Sequence, residues 1–443
     1  MARKRSAGQL NVYLNSRLVG YFRRESTGAV DFQYDQDWLD WDKAIPVSLS
    51  LPLREDRFIG DPVLAVFDNL LPDNAGIRHL IAAKSGADGD DAYSLLARIG
   101  RDCVGALQFL PPDIEPGKAG SIDARKVKDA EIARIIANLG RNPLGIGEDE
   151  AFRISIAGAQ EKTALLFWKN GWYIPHGSTA TTHILKPQIG KLSAGIDLSQ
   201  SVENEHFCMT LLAELGLPTA KTQIVDFDGT RVLVVERFDR QWTRDKRLLR
   251  IPQEDLCQAL SVPPTRKYQS DGGPGIREIA AVLKSSDMPE QDRRAFFKAL
   301  LVFWLIAATD GHAKNFSLRL SQGGRFRMTP LYDVLSTQPA NDAHQIRNNQ
   351  FKMAMAVGDS RHTVVDRIQP RHFVQTARAC GMAASVMPEL FNELIDALPA
   401  ALTRARHKMP VDFPGALLDS IAAGAERRLN KVRLWTPGDR AED

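Results

Sequence analysis

The residues best suited to chemistry stand in Thr309-Asp310-Gly311-His312-Ala313-Lys314-Asn315-Phe316, directly after the most apolar stretch of the chain. Asp310 and Asn315 lie five apart, the spacing of a proton-accepting carboxylate and a metal-binding amide in phosphoryl transfer. An Asp-x4-Asn pair alone is a weak signal. Here it closes an apolar helix and runs into an apolar, strand-like stretch, which raises its weight. Further on, Pro330-Leu331-Tyr332-Asp333-Val334 sets an acidic residue in apolar surroundings. Asp333 would supply a second oxygen ligand for Mg²⁺. The structural alternative is a helix N-cap. His312 reads either as a loop hydrogen-bonder or as a phosphate contact.

Phosphoryl transfer also needs a phosphate cradle and a cation. Ala157, Gly158, Ala159, Gln160, Glu161 and Lys162 form a segment whose small residues would let backbone N–H groups approach phosphate oxygens. Its Lys162-Thr163 ending is shared with a Walker A loop. No glycine precedes that lysine, and the segment leads into a strand, so a P-loop NTPase is excluded. Alone, the segment reads as an ordinary strand-to-strand loop. Lys186 ends the apolar strand Thr182–Lys186, stopped by Pro187. A lysine there is commonly just solvated. It gains weight from the following helix, which carries Glu203 and Glu205. A lysine–glutamate pair would aim the ammonium at the α/β-phosphates, and Glu205 is the preferred partner. Backbone groups of Glu236-Arg237-Phe238 would meet an adenine edge, with Phe238 packing on the ring. The remaining histidines show no metal-ligand spacing, and no Gly-x-Ser-x-Gly elbow supports a hydrolase.

The elements that must position these groups follow from pattern. Val12–Leu14 and Leu18–Phe22 flank Asn15-Ser16-Arg17 as a hairpin. Val47–Leu51 alternates like a half-buried strand. Leu64–Leu71, Ala92–Ile99 and Val127–Leu139 read as helices, with a candidate boundary at Pro111–Ser121. Strands are expected at Phe152–Ile156 and Thr163–Trp168, then Trp172–Ile174 after an Asn170-Gly171 turn. A helix from about Ser199 to Leu215 ends at Gly216 and Pro218. Thr222–Phe227 and Arg231–Val235 pair across Asp228-Gly229. Beyond Gln253 the pattern turns helical, with a long helix over Pro289–Ala308. This order is that of an α+β, protein-kinase-like two-lobed fold. Residues 1–145 would form an extra N-terminal α/β subdomain, 146–257 the ATP-binding part of the small lobe, and 258–443 an all-helical large lobe.

Composition sets bounds. A chain of 443 residues exceeds what one core usually serves. At 44% hydrophobic and 25% charged it is neither disordered nor fibrous. The longest apolar run, Ala299–Ala308, is too short to span a membrane. No apolar segment follows Ala2-Arg3-Lys4-Arg5, so no signal peptide is expected. The four cysteines lie far apart without a CxxC pair, which excludes a cysteine zinc site and suggests reduced thiols in a cytoplasmic protein. A net charge of +3 does not announce a nucleic-acid binder. Arg404, Arg406, His407 and Lys408, then Arg427, Arg428, Lys431 and Arg433, read as solvated helix faces before they read as a patch for an acidic partner.

Several segments together resemble the HipA family of serine/threonine kinase toxins from bacterial toxin–antitoxin pairs. They are Phe67–Asp73, Ile99–Asp102, Arg153–Thr163, Val235–Arg240, Asp271–Gly275, Thr309–Asn315 and Tyr332-Asp333. The resemblance implies ATP and Mg²⁺ as cofactors, Asp310 as catalytic base, and Asn315 and Asp333 as metal ligands. It implies nucleotide contacts from Ala157 to Lys162, from Lys186 and Glu236 to Phe238, and from His312, Lys314 and Tyr332. Ser155 stands at the family's autophosphorylation position. Without the resemblance Ser155 would read as a buried strand residue. Implied partners are a HipB-like helix-turn-helix antitoxin dimer, operator DNA with Arg378 near it, and a translation component such as an aminoacyl-tRNA synthetase. Two rivals remain, a non-catalytic co-repressor scaffold and a small-molecule kinase. Intact Asp310, Asn315, Asp333 and Lys186 weigh against the first. The long N-terminal segment weighs against the second.

Overall fold

The computed structural model describes residues 7–146, 154–158, 160–192 and 195–436. The chain divides into two compact units. The first comprises Met1–Pro187, Val225–Arg266 and Ser317–Phe326; the second comprises Gln188–Ile224, Lys267–Phe316 and Arg327–Asp443.

The first unit holds a five-stranded antiparallel sheet in the order Phe58–Ile59, Val30–Tyr34, Arg17–Arg24, Gly8–Leu14, Leu107–Leu110. The expected first hairpin is present, because Asn15 and Ser16 accept φ of +48° and +69° and so match the twist of the strands. Buried rings close its inner face, with Phe67 4.8 Å from Phe22 and 5.0 Å from Phe109. A second sheet runs Thr230–Glu236, His183–Pro187, Thr163–Trp168, Gly171–Pro175, Ala124–Val127, with the Val225–Phe227 end of strand Thr222–Phe227 at its edge. One continuous apolar cluster serves both sheets, from Leu10 to Val234.

Several expectations are corrected. Val47–Leu51 is no strand; only Ser48 and Leu51 bridge. Its polar groups find side-chain partners instead: the buried Glu254 carboxyl takes Ser48 Oγ and the Leu49 N–H, and Tyr34 Oη takes the Val47 N–H. The described residues Ile154, Ser155 and Ile156 are buried but join no ladder, since the Ser155 N–H donates to Asp102 O at 3.0 Å. The turn after Trp168 uses Lys169 and Asn170, at φ +46° and +56°, and Gly171 already belongs to the next strand. Val127 ends a strand, and the helix is Asp129–Ala137. Pro111–Ser121 does not separate packing units, because Ala124–Val127 pairs antiparallel with Gly171–Pro175. The same ladder joins residues on both sides of position 145.

The second unit is mainly helical. Its principal helices are Ser201–Glu214, Pro289–Leu305, Pro370–Ala379, Val386–His407 and Gly415–Arg433. Trp304 and Phe316 are buried against Phe373 and Phe296, at 5.4 and 5.0 Å between rings. Residues 258–443, of which Ser317–Phe326 belongs to the first unit, are not all helical. Strands occur at Ser317–Leu320, Phe326–Met328, Lys352–Val357 and His362–Val364. Gln253–Asp255 is also a strand, paired with Ser317–Leu320. Short alternating stretches within a helical context carry too little periodicity to stand out.

Candidate active site

The first unit builds the phosphate segment against its N-terminal part. Gly158 bridges Pro72, and the Asp73 N–H donates to Gly158 O at 3.2 Å. Gly158 adopts φ +112°, and a Cβ there would collide with Lys162 Nζ. Lys162 is buried and turns its ammonium back onto Ala157 O at 2.8 Å. Gln160 Nε2 donates to Pro187 O at 3.0 Å, which ties the segment to the strand that carries Lys186. Glu161 is exposed. Ala159 lies outside the described residues. Ser155 is fully buried, and its Oγ donates to Leu70 O at 2.8 Å. Lys186 is buried near the end of strand His183–Pro187.

The segment after Glu236 is organised by charge. Glu236 is exposed, whereas Phe238 is half-buried. Arg237 is buried, its N–H donates to Thr182 O at 2.9 Å, and its guanidinium holds Asp239 at 2.7 Å and Cys103 O at 2.8 Å. Its N–H and guanidinium are therefore engaged within the protein. Arg237, Arg240 and Arg250 surround Asp102 at 3.4, 2.9 and 2.9 Å. Burial alone would raise the Asp102 carboxyl. Arg240, Arg250 and Arg237 overcome this and hold it well below the usual carboxylate range. Sequence reading had no access to this network, because Asp102 lies 135 to 148 residues before its three arginines.

The second unit gathers the candidate base and metal ligands. After helix Pro289–Leu305 the chain turns at Ala307, φ +53°, and reaches Asp310, whose side chain is 65% exposed. Gly311 permits a close approach, since a Cβ there would strike the Phe303 ring. Asn315 is buried, and its Nδ2 donates to Asp310 O at 3.0 Å and to Asp333 O at 3.4 Å. The amide nitrogen is thus spent on carbonyls, and Oδ1 is left as a hard oxygen donor. Asp333 adopts φ +60°, a conformation that non-glycine residues rarely hold without local constraint. Its neighbours supply that constraint. Tyr332 Oη donates to Lys314 O at 2.7 Å, and Asn204 and Ser336 exchange two hydrogen bonds at 2.8 Å. An N-cap role for Asp333 is not seen. An Asn oxygen and a carboxylate suit Mg²⁺, which takes few protein ligands and completes its shell with phosphate oxygens and water. Among the described residues no cluster of three or more His, Cys, Asp or Glu side chains forms a metal site of another kind.

His312 and Lys314 are buried, and His312 Nε2 lies 4.0 Å from Asp310 Oδ2. Sequence reasoning missed Tyr268, whose Oη donates to Asp310 Oδ1 at 2.7 Å. Only its nearness to the glycine-rich Asp271–Gly275 segment could have drawn attention to it. On helix Ser201–Glu214, Glu205 is buried, while Glu203 accepts from Gln188 Nε2 at 2.7 Å. Arg378 is 78% exposed and lies 3.5 Å from Asp359. The C-terminal basic residues are largely matched within the chain. Arg404 and Lys408 both hold Glu214, Arg406 pairs with Asp419, and Arg428 is buried on Leu305 O. All four cysteines are buried and outside disulfides. No helix among the described residues is long and apolar enough to cross a membrane.

A family model described as the HipA-like C-terminal domain matches residues 154–402, and one for the HipA N-terminal domain matches residues 10–110. Y4mE of Sinorhizobium fredii, named as a candidate kinase, is 35% identical over 96% of this chain and 98% of its own. The serine/threonine-protein kinase toxin HipA of Shewanella oneidensis is 28% identical over 79% of this chain and 78% of its own. The solved structure of Shewanella oneidensis HipA with HipB and operator DNA superposes with a TM-score of 0.79 at 24% identity, covering 96% of this chain and 98% of that one, and so shows the fold. With the C-terminal match alone spanning more than half of its length, the chain belongs to the HipA family.

Proposed function

We propose that the chain is an ATP-dependent serine/threonine protein kinase and the toxin of a type II toxin–antitoxin pair. One observation carries this reading: Asn315 hydrogen-bonds the backbone of both Asp310 and Asp333, so base and metal ligands belong to one constrained cluster. Asp310 takes the proton of an acceptor serine or threonine as its oxygen bonds to the γ-phosphorus and the bond to the ADP oxygen breaks. Asn315 Oδ1 and the Asp333 carboxylate would hold Mg²⁺, which neutralises charge on the phosphate oxygens. The first unit contributes the Ala157–Lys162 amides and Lys186 toward the phosphates. Backbone groups near Glu236 and the Phe238 ring take the adenine, and His312, Lys314 and Tyr332 complete the nucleotide contacts.

Ser155 is the proposed autophosphorylation site. Its Oγ now donates to a buried carbonyl, and a phosphate dianion cannot remain there. Modification would expel the phosphate segment and switch nucleotide binding off. The partner is a HipB-like antitoxin that brings the chain to operator DNA, with Arg378 facing the DNA. The acceptor is a translation component, in this reading an aminoacyl-tRNA synthetase. The test is incubation of phosphatase-treated chain with Mg·ATP beside Asp310→Asn, followed by peptide mass spectrometry. Phosphate on Ser155 in the parent alone is expected. Bound ATP with no phosphate on any residue would overturn the kinase reading.

A further inference from the structure

Asp310 sits on an exposed loop, where a carboxylate has room to rotate. Two neighbours face its two oxygens. Tyr268 Oη donates to Oδ1 at 2.7 Å, and His312 Nε2 lies 4.0 Å from Oδ2. The Tyr268 and His312 rings meet edge to face, 4.8 Å apart at 82°. The phenol therefore grips one oxygen and packs against the imidazole beside the other.

Tyr268 is itself held. The Gly273 N–H donates to Tyr268 O at 2.9 Å, closing the turn that contains Gly272. Next to it, Gln269 Oε1 accepts the Ala356 N–H at 2.7 Å. Two residues away on the same strand, the Ala354 N–H donates to Thr309 O at 2.9 Å. Strand Lys352–Val357 thus fixes the residue after Tyr268 and the residue before Asp310. The donor and the carboxylate are referenced to one rigid element, and their separation does not depend on loop position alone.

We infer that Tyr268 is a positioning residue for the phosphoryl transfer proposed above, and the inference rests on that assignment of Asp310. By holding Oδ1, the phenol leaves Oδ2 to receive the acceptor proton and stops the carboxylate from turning away. A hydrogen bond to a charged group, used to fix a reacting group, predicts a rate loss of about tenfold on its removal. Nucleotide affinity should not change, because Tyr268 acts through the base.

The experiment uses the full chain, dephosphorylated, with Mg·ATP labelled on the γ-phosphate and incorporation into the chain as readout. Tyr268→Phe keeps the ring edge against His312 and removes only the donor. Its maximal rate should fall about tenfold while half-saturating ATP stays within about twofold and the melting temperature is unchanged. An unchanged maximal rate, with Asp310→Asn inactive, refutes the positioning role and leaves the base standing. A slower rate matched by weaker ATP binding or a lower melting temperature also refutes it, since Tyr268 would then only prop the loop. Full activity in Asp310→Asn, or none in the parent, removes the base assignment and this inference with it.

Discussion

Asp102→Asn should destabilise the first unit more than any other shape-conserving change near the phosphate segment. Asp102 is 2% exposed and receives Arg237, Arg240 and Arg250, together with the Thr181 N–H at 3.0 Å and Thr181 Oγ1 at 2.7 Å. With Asp239 counted, two buried carboxylates face three buried guanidiniums. Asparagine preserves volume but leaves one carboxylate against three cations. Removing one member of a buried ion network costs about 3–5 kcal/mol. At about 2–4 °C per kcal/mol for a body of this size, the melting temperature should drop by about 10 °C. The sign with pH follows from the depressed carboxyl. Its contribution is complete above the unfolded value near 4 and is lost as pH falls toward the folded value. The gap between parent and variant melting curves, followed by circular dichroism from pH 7 down to pH 3, should therefore hold to about pH 4 and begin to narrow below it. A drop below about 2 °C at pH 7, or a gap that stays constant with pH, would refute the ion-network account.

Glu254 offers the opposite sign. Burial pushes it up to about 8, against the Ser48 and Leu49 hydrogen bonds. A folded value above the unfolded one means that stability is full below about pH 4.3 and is lost as pH rises through about 8. Glu254→Gln mimics the protonated shape and should flatten this slope between pH 5 and 9; an unaltered slope would assign it elsewhere. Gly158→Ala meets both a positive φ and Lys162, so ATP affinity should fall at least about tenfold with a strain cost of about 1–3 kcal/mol. Calorimetric titration with ATP checks it, and parent-like binding would free the segment from that geometry. Arg378→Glu should weaken operator binding in the presence of antitoxin and lower the salt slope by about 1. Identical affinity and slope would take Arg378 off the DNA.

What could be read in advance was local. Asn15-Ser16 and Asp228-Gly229 announce their hairpins because positive φ restricts the residue types. Ala92–Ile99 is found as expected, since Asp91 caps it through the Ser94 N–H and Gly100 stops it. Val47–Leu51 misled because alternation records which side chains are apolar, not where backbone amides find partners. The Leu49 amide goes to a carboxyl group 205 residues away, the Val47 amide to the Tyr34 hydroxyl, and the Ser50 amide to Ser48 Oγ. Lys169-Asn170 misled for a related reason: Asn170-Gly171 is the stronger turn signal, but the register of Trp168 with Gly171 fixed the turn one residue earlier.

The site divides along the same line. Asp310, Asn315 and Asp333 are visible because two of them share a short loop and the third sits in an apolar run. Tyr268 and Asp102 are not, because each acts on partners reached only through the fold. Tyr268 lies 42 residues before Asp310, and Asp102 lies 135 before Arg237. Asp102 falls in the Ile99–Asp102 segment that carries the family resemblance, but its type and neighbours do not disclose its three arginine partners, and Tyr268 stands between Lys267 and Gln269, neither of which marks it. Yet these are the residues that hold others in place. Asp102 carries Ser155 on its backbone carbonyl and the Glu236 segment on its carboxylate through Arg237. A change at Asp102 therefore reaches both ends of the proposed nucleotide machinery of the first unit without touching a nucleotide contact. It follows that Asp102→Asn should weaken ATP binding as well as stability. The two losses should grow together on warming, because both are read through one buried ion network.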